Sequence, residues 1–159
     1  SNIKSVHSYG GESALNLKWH FRKIDFRISA FYGYTVSETT SSEFAYDASV
    51  GKQLIYVPYH KAGGNLSLIH KNSVLTLSHT YTGIRYITTD NSDQLDAYGK
   101  TNIQFDRLFK LKNYALAVFI RAENLFNTDY QAVQNRPEPL RNFGFGINLK
   151  IDQIKKNKS

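Results

Sequence analysis

Arg141-Asn-Phe-Gly-Phe-Gly-Ile-Asn-Leu-Lys-Ile151 decides the fold. Phe143, Phe145, Ile147, Leu149 and Ile151 fall on one parity; Asn142, Gly144, Gly146, Asn148 and Lys150 fall on the other. A period of two is the mark of a strand with one apolar and one polar face. The same alternation recurs toward the N-terminus. Leu15, Leu17, Trp19 and Phe21 alternate with Asn16, Lys18 and His20, and Ile24, Phe26, Ile28, Ala30, Tyr32 and Tyr34 with Asp25, Arg27 and Ser29. Only Phe31 breaks the polar parity of the second run.

Seven long strands are predicted. The first runs from about Ile3 to Phe21, and the second begins at Ile24. The third spans about Leu54 to Ile69. Leu75 to Tyr81, Thr101 to Phe109, Leu116 to Ala122 and Phe143 to Ile151 lie in the other four. Gly10-Gly11 suggests a bulge or bend within the first strand. Pro58 cannot donate a ladder bond, which places it near a strand's loop end or at a bulge. The connections alternate between tight and long. Arg22-Lys23, His70-Lys71-Asn72 and Lys110 to Asn113 are tight and basic. SETTSSEFAYDASVGKQ (37–53), TTDNSDQL (88–95) and NTDYQAVQNRPEPLR (127–141) are long and polar. Amphipathic helix periodicity is nearly absent.

At 159 residues the chain is expected to form one domain. Its net charge of +7 is scattered, with one compact cluster at Lys155, Lys156 and Lys158, so it lacks the basic stripe of a nucleic-acid binder. There is no Cys, hence no disulfide framework or thiolate metal site. No run of eighteen apolar residues exists, which leaves open a barrel whose strands need only about ten alternating residues. Ser1 to Gly11 is polar and shows no secretory-signal pattern.

The apolar parity faces either a protein core or lipid. Strands longer than the ordinary five or six residues favour lipid. So do the cations on the polar parity, and the short-turn and long-loop asymmetry of outer-membrane barrels. Arg85 and Arg107 fall on the apolar parity near strand ends, where a cation in lipid costs about 0–1 kcal/mol. A soluble antiparallel barrel binding a small apolar ligand is the alternative; a small complete outer-membrane barrel is another. Seven strands is an odd count, and an up-and-down barrel closes on an even one. The chain therefore reads as part of a larger barrel.

Several segments then resemble one family. Arg121-Ala-Glu-Asn-Leu-Phe-Asn-Thr-Asp-Tyr130 resembles the ENLFNxxY segment of TonB-dependent outer-membrane receptors. Asn135-Arg-Pro-Glu-Pro-Leu-Arg-Asn-Phe143 resembles the RPxPxRxF that opens their final strand. Tyr56-Val-Pro-Tyr-His-Lys-Ala62, Tyr81-Thr-Gly-Ile-Arg-Tyr86 and Tyr9-Gly-Gly-Glu12 resemble further strand motifs, all in family order. The resemblance implies an all-β fold, with residues 1–151 an antiparallel meander forming the C-terminal part of a 22-stranded barrel. Residues 152–159 would be a polar basic tail. It implies energy-coupled uptake of a ferric siderophore, cobalamin or haem, with no catalysis and no cofactor. The implied partners are the upstream barrel strands and plug domain, TonB through the plug region, the barrel-assembly machinery and outer-membrane lipid. Asn142, Gly144, Ile147 and Leu149 match the family's barrel-assembly signal, although Ile151 stands where an aromatic residue usually ends the chain.

His7, His20, His60, His70 and His79 lack metal-ligand spacing. Asp106 and Glu123 could serve a barrel enzyme, but nothing supplies base, orienter and oxyanion donor together. Asn124 and Asn127 read as ladder-end and turn residues. Ligand contacts are expected in the long loops, with Tyr46, Tyr86, Tyr130 and Arg136 as candidates, because Tyr and Arg are common binding anchors on loops.

Overall fold

The computed structural model describes residues 5–111 and 114–151. The expected start at Ile3 and the tail 152–159 with its lysine cluster lie outside the described residues, as does part of the third tight turn. In chain order the elements are β1 (Ser5–Phe21), β2 (Ile24–Ser41), β3 (His60–His70), β4 (Ser73–Thr82), β5 (Arg85–Tyr86), β6 (Gln94–Leu95), β7 (Tyr98–Lys110), β8 (Tyr114–Glu123), β9 (Gln131–Val133), β10 (Arg136–Pro137) and β11 (Asn142–Ile151). Seven of them form one antiparallel meander in the order β1-β2-β3-β4-β7-β8-β11. The pairs β5–β6 and β9–β10 are small ribbons within two of the long loops.

Directly opposed residues share a face, and the register carries each parity across the whole sheet. Leu17 opposes Ile28, then Leu66, Leu77, Ile103, Ala122 and Phe143 follow strand by strand. The row beside it runs Lys18, Arg27, Ser67, Thr76, Gln104, Arg121 and Gly144. A slip of one residue in any strand would exchange the two faces, so the pattern fixes the register.

Among the described residues, no element packs on the apolar face. Phe143 is 75% and Phe145 80% exposed, and Leu15, Trp19, Leu77, Ile120 and Leu149 are exposed as well. Among the described residues, Val36 and Ala122 are the buried hydrophobic core. Burying one Leu, Ile or Phe side chain is worth about 1.5–3 kcal/mol, so this face belongs against an apolar medium. The sheet begins at β1 and ends at β11 without joining them, so the described residues form neither a closed soluble barrel nor a small complete membrane barrel.

The face is banded. Tyr9, Tyr32, Tyr34 and Tyr81 lie toward the long loops; Trp19, Phe21, Phe26 and Phe109 lie toward the tight turns, with Trp19 stacked on Phe26 at 4.9 Å. Aliphatic residues fill most of the middle, joined by Phe105 and Phe145. From Trp19 to Tyr9 at about 3.3 Å per residue is about 33 Å along the strand, or about 25 Å in height at a tilt of about 40°. That height matches the apolar band of outer-membrane barrels.

The strands depart from expectation in three places. β1 crosses Gly10-Gly11 without a break; its register shifts between Ser5 and Val6 instead. Gly10 is there because a Cβ would collide with the Tyr34 carbonyl oxygen across the pair. β2 continues to Ser41, since β1 is long enough to pair with it, and the polar residues Ser37 and Thr39 are buried beneath the following loop. β3 begins at His60, so Pro58 lies just ahead of it. Phe31 is on the polar face because its ring covers Gly63 of the next strand, and Phe119 covers Gly146 in the same way. An aromatic ring laid over a strand glycine restores the packing that glycine lacks.

Candidate functional site: the long-loop cap

The connections 42–59, 83–97 and 124–141 all leave the sheet at one end. Long loops rarely hold one shape unless their polar backbone groups find partners. Here three side chains supply them. Gln53 is fully buried: its Oε1 accepts from the Ser37 amide at 2.7 Å, and its Nε2 donates to the Thr35 and Val57 carbonyls. Its own amide donates to Asn91 Oδ1, and Asn91 Nδ2 donates back to the Gln53 carbonyl, both at 2.9 Å. The Tyr56 amide donates to the Tyr86 carbonyl at 2.8 Å. The first loop is thereby fastened to the second.

Asn124 is the second organiser. It is fully buried and sits at φ 50°, a left-handed conformation that Asn tolerates better than most residues. Its Oδ1 accepts from the Thr128 amide, its Nδ2 donates to the Thr128 and Pro139 carbonyls, and its amide donates to Asn102 Oδ1 in β7. The expected turn role of Asn124 is therefore joined to a second one, bracing both ends of the third loop.

Arg85 is the third. It does not stand in a lipid-facing ladder, because β4 ends at Thr82 and the chain turns inward. Only 4% exposed, it donates from Nη1 to the Gln131 and Ala132 carbonyls and from Nη2 to the Asp96 carbonyl at 2.8 Å. Its guanidinium lies over the Tyr98 ring at 4.8 Å, and Tyr98 stacks on Tyr130 at 4.2 Å. The second and third loops thus meet on one cation. A buried Arg with neutral acceptors leaves no sequence signal beyond its place on the wrong parity.

The four loop candidates are not gathered into one site. Tyr46 is fully exposed at a loop tip. Tyr86 meets Tyr59 edge to face at 6.4 Å, at the end of a belt that continues through Tyr34 and His60. Burial raises the phenol pKa of Tyr59 above its ordinary value. Tyr130 is half-buried against Tyr98, and Arg136 is exposed on the β9–β10 ribbon. Of these, Tyr46 and Arg136 present free surface.

The polar face forms the wall below the cap. Asn65, Ser78, Asn102, Gln104, Arg121 and Glu123 border a recess of about 240 Å³. Arg121 and Glu123 pair at 3.5 Å, and Gln104 donates to both Asp106 oxygens, so each carboxylate is engaged along its own strand. Nearer the cap, Glu12, Phe31, Thr35, Val57, Pro58 and Lys61 line a larger recess of about 530 Å³. Four histidines bond through ring nitrogens: His20 to Asp25, His60 to Tyr32, His70 to the Lys23 carbonyl and His79 to Thr101.

No family model and no curated protein matches the sequence. Several solved structures share the fold. One is the ferric yersiniabactin uptake receptor FyuA from Yersinia pestis, with 20% identity and a TM-score of 0.62 over 95% of this chain. Another is BauA, the ferric preacinetobactin receptor from Acinetobacter baumannii, with 13% identity and a TM-score of 0.62 over 91%. The chain spans about a quarter of the length of each, 24% and 26% respectively. The all-β meander has the fold of a barrel segment of TonB-dependent receptors.

Proposed function

We propose that this chain is the C-terminal barrel segment of a TonB-dependent receptor in the outer membrane of a Gram-negative bacterium, serving energy-coupled uptake. The observation that carries the reading is the seven-strand apolar face, banded by aromatics and covered by nothing. Both structural neighbours are named as receptors for ferric siderophores, which favours that cargo over cobalamin or haem.

In this reading the apolar parity faces lipid, the polar row faces the lumen, and the long loops face outward. The loop cap, with Tyr46 and Arg136 exposed on it, contributes to ligand capture. Passage requires a plug, remodelled by TonB, inside a barrel of about 22 strands, of which this sheet supplies the last seven. Asn142, Gly144, Ile147 and Leu149 on β11 serve as the signal read by the barrel-assembly machinery, and Ile151 takes the closing position. The test is the reading frame upstream of Ser1 in the source DNA. A plug and about fifteen further strands in frame support the proposal. A start codon immediately before Ser1 overturns it.

A further inference from the structure

The tight-turn end carries a charge pattern that uptake does not use. We propose that Arg22, Lys23, Lys71 and Arg107 form a collar that binds the anionic headgroups of phospholipids in the leaflet on the tight-turn side. The proposal rests on the membrane reading above and names a lipid class for it.

Three observations converge. The first is placement. Arg107 lies on the apolar face, opposite Ser73 and Val118, within three residues of the end of β7. Its guanidinium donates to Ser73 Oγ at 2.9 Å and lies 5.4 Å from the Phe109 ring. The Arg22 guanidinium lies 5.3 Å from the Phe21 ring. Both cations therefore rest on the aromatic belt that marks the lower edge of the apolar band, at the height of headgroups.

The second is backbone cost. Arg22 (φ 57°) and Lys71 (φ 52°) occupy left-handed positions in two-residue hairpin turns. Asn or Gly fills such positions with less strain, and a costly conformation held by a long cation points to a use for the charge. His70 Nδ1 bonds the Lys23 carbonyl at 2.7 Å and ties these two turns together.

The third is the lack of competing acid among the described residues. Asp25 and Asp106, the carboxylates in β2 and β7 close to these turns in sequence, lie on the opposite face, where His20 and Gln104 engage them. The long loops at the other end are acidic by contrast, with Asp90, Asp93 and Asp96 in one loop. A guanidinium can grip a phosphate through two parallel N–H bonds, and basic residues beside a membrane draw anionic lipid. Each Lys or Arg near the surface strengthens that attraction by about fivefold.

The test uses the native polypeptide that carries this chain, reconstituted in phosphatidylcholine vesicles with and without phosphatidylglycerol. Spin-labelled lipids report which species is held at the protein surface. The comparison variant is Arg22→Asn/Lys71→Asn/Arg107→Gln, in which Asn suits the left-handed turns, so the fold survives. The expected result is severalfold retention of phosphatidylglycerol over phosphatidylcholine, lost in the variant. Equal retention of both lipids by the unaltered protein overturns the collar but leaves the membrane reading standing. So does a preference that survives the triple substitution and disappears on replacing Arg136 and Arg141. Failure to enter either bilayer overturns both.

Discussion

Replacing Arg85 with Met tests whether the long loops form a preassembled cap. Met keeps much of the apolar stem and removes the guanidinium, leaving the carbonyls of Asp96, Gln131 and Ala132 without their donor. A hydrogen bond from a charged group contributes about 1.5–3 kcal/mol, so three of them overstate the loss if simply summed. Burying an unpaired cation offsets part of the gain, because among the described residues Arg85 has no carboxylate partner and its Nε is buried unbonded. The net cost should be about 3 kcal/mol, about 1 kcal/mol for each of the three carbonyls left without a donor. It should fall on the loops and on their contact with Tyr98 at the start of β7, since the Arg85 hydrogen bonds go to Asp96, Gln131 and Ala132. About 3 kcal/mol is about two orders of magnitude in local opening. Amide hydrogen exchange on the native polypeptide, read on peptides covering 94–98 and 131–137, should accelerate by that factor. Peptides from β4 and β8 should be unchanged. Less than a threefold change in the loop peptides would refute the latch, and equal acceleration in the strands would show that Arg85 supports the sheet instead.

Three further outcomes are expected. Phe145→Lys should cost about 2–4 kcal/mol of membrane stability at mid-depth, whereas Asn148→Leu should cost little; urea titrations in bilayers that ranked them in reverse would invert the faces. Asn124→Ala orphans the Thr128 amide and two carbonyls, at about 1–3 kcal/mol for each buried group left unbonded. Protease cleavage within 124–141 should rise markedly, and wild-type resistance would contradict the bracing role. The Ser92 hydroxyl and amide both bond Asp90 and hold its carboxyl below the ordinary value. A depressed folded value means the turn's stability is present above the ordinary carboxylate range and is lost as pH falls through the lower one. The Ser92 amide shift should therefore titrate at lower pH than in a free peptide of residues 88–93, and coincident titrations would count against it.

The sheet was legible because its two faces meet different media, and a period of two survives every strand. The same physics explains where reading failed. Ser37 and Thr39 look like loop residues, yet they lie in β2, since a polar side chain can be buried once a loop such as 49–53 folds over it. Gly10 looked like a bulge and is a close-approach glycine; strand glycines signal either, and the difference depends on what the facing strand presents. Phe31 looked like an error of parity and is a cover for Gly63, a cross-strand relation that no single-strand pattern contains. In the cap, Gln53, Asn124 and Arg85 act through backbone groups distant in sequence. Such bonds have no periodicity, so aromatic and exposed loop residues attracted attention while the buried amides that shape the loops did not.

The cap and the sheet differ in how far they satisfy themselves, and this bears on what the chain does. The loops satisfy most of their buried polar groups through Gln53, Asn91, Asn124 and Arg85, with Asn102 of β7 joining them. The sheet does not close its edges. β1 has 17 residues and β11 has 10, and about half the backbone groups of an edge strand point away from the sheet. That leaves about a dozen donors and as many acceptors unpaired along the two edges. Each costs several kcal/mol in hydrocarbon, so the open ribbon would carry tens of kcal/mol against a typical folding stability of about 5–15. In the proposed reading the apolar face meets a bilayer, and the edges forbid one unless other strands join them. Both demands are met when the sheet is one arc of a larger closed barrel. The cap is already braced by Gln53, Asn124 and Arg85, and in the proposed reading that bracing suits it to present a fixed surface to a ligand.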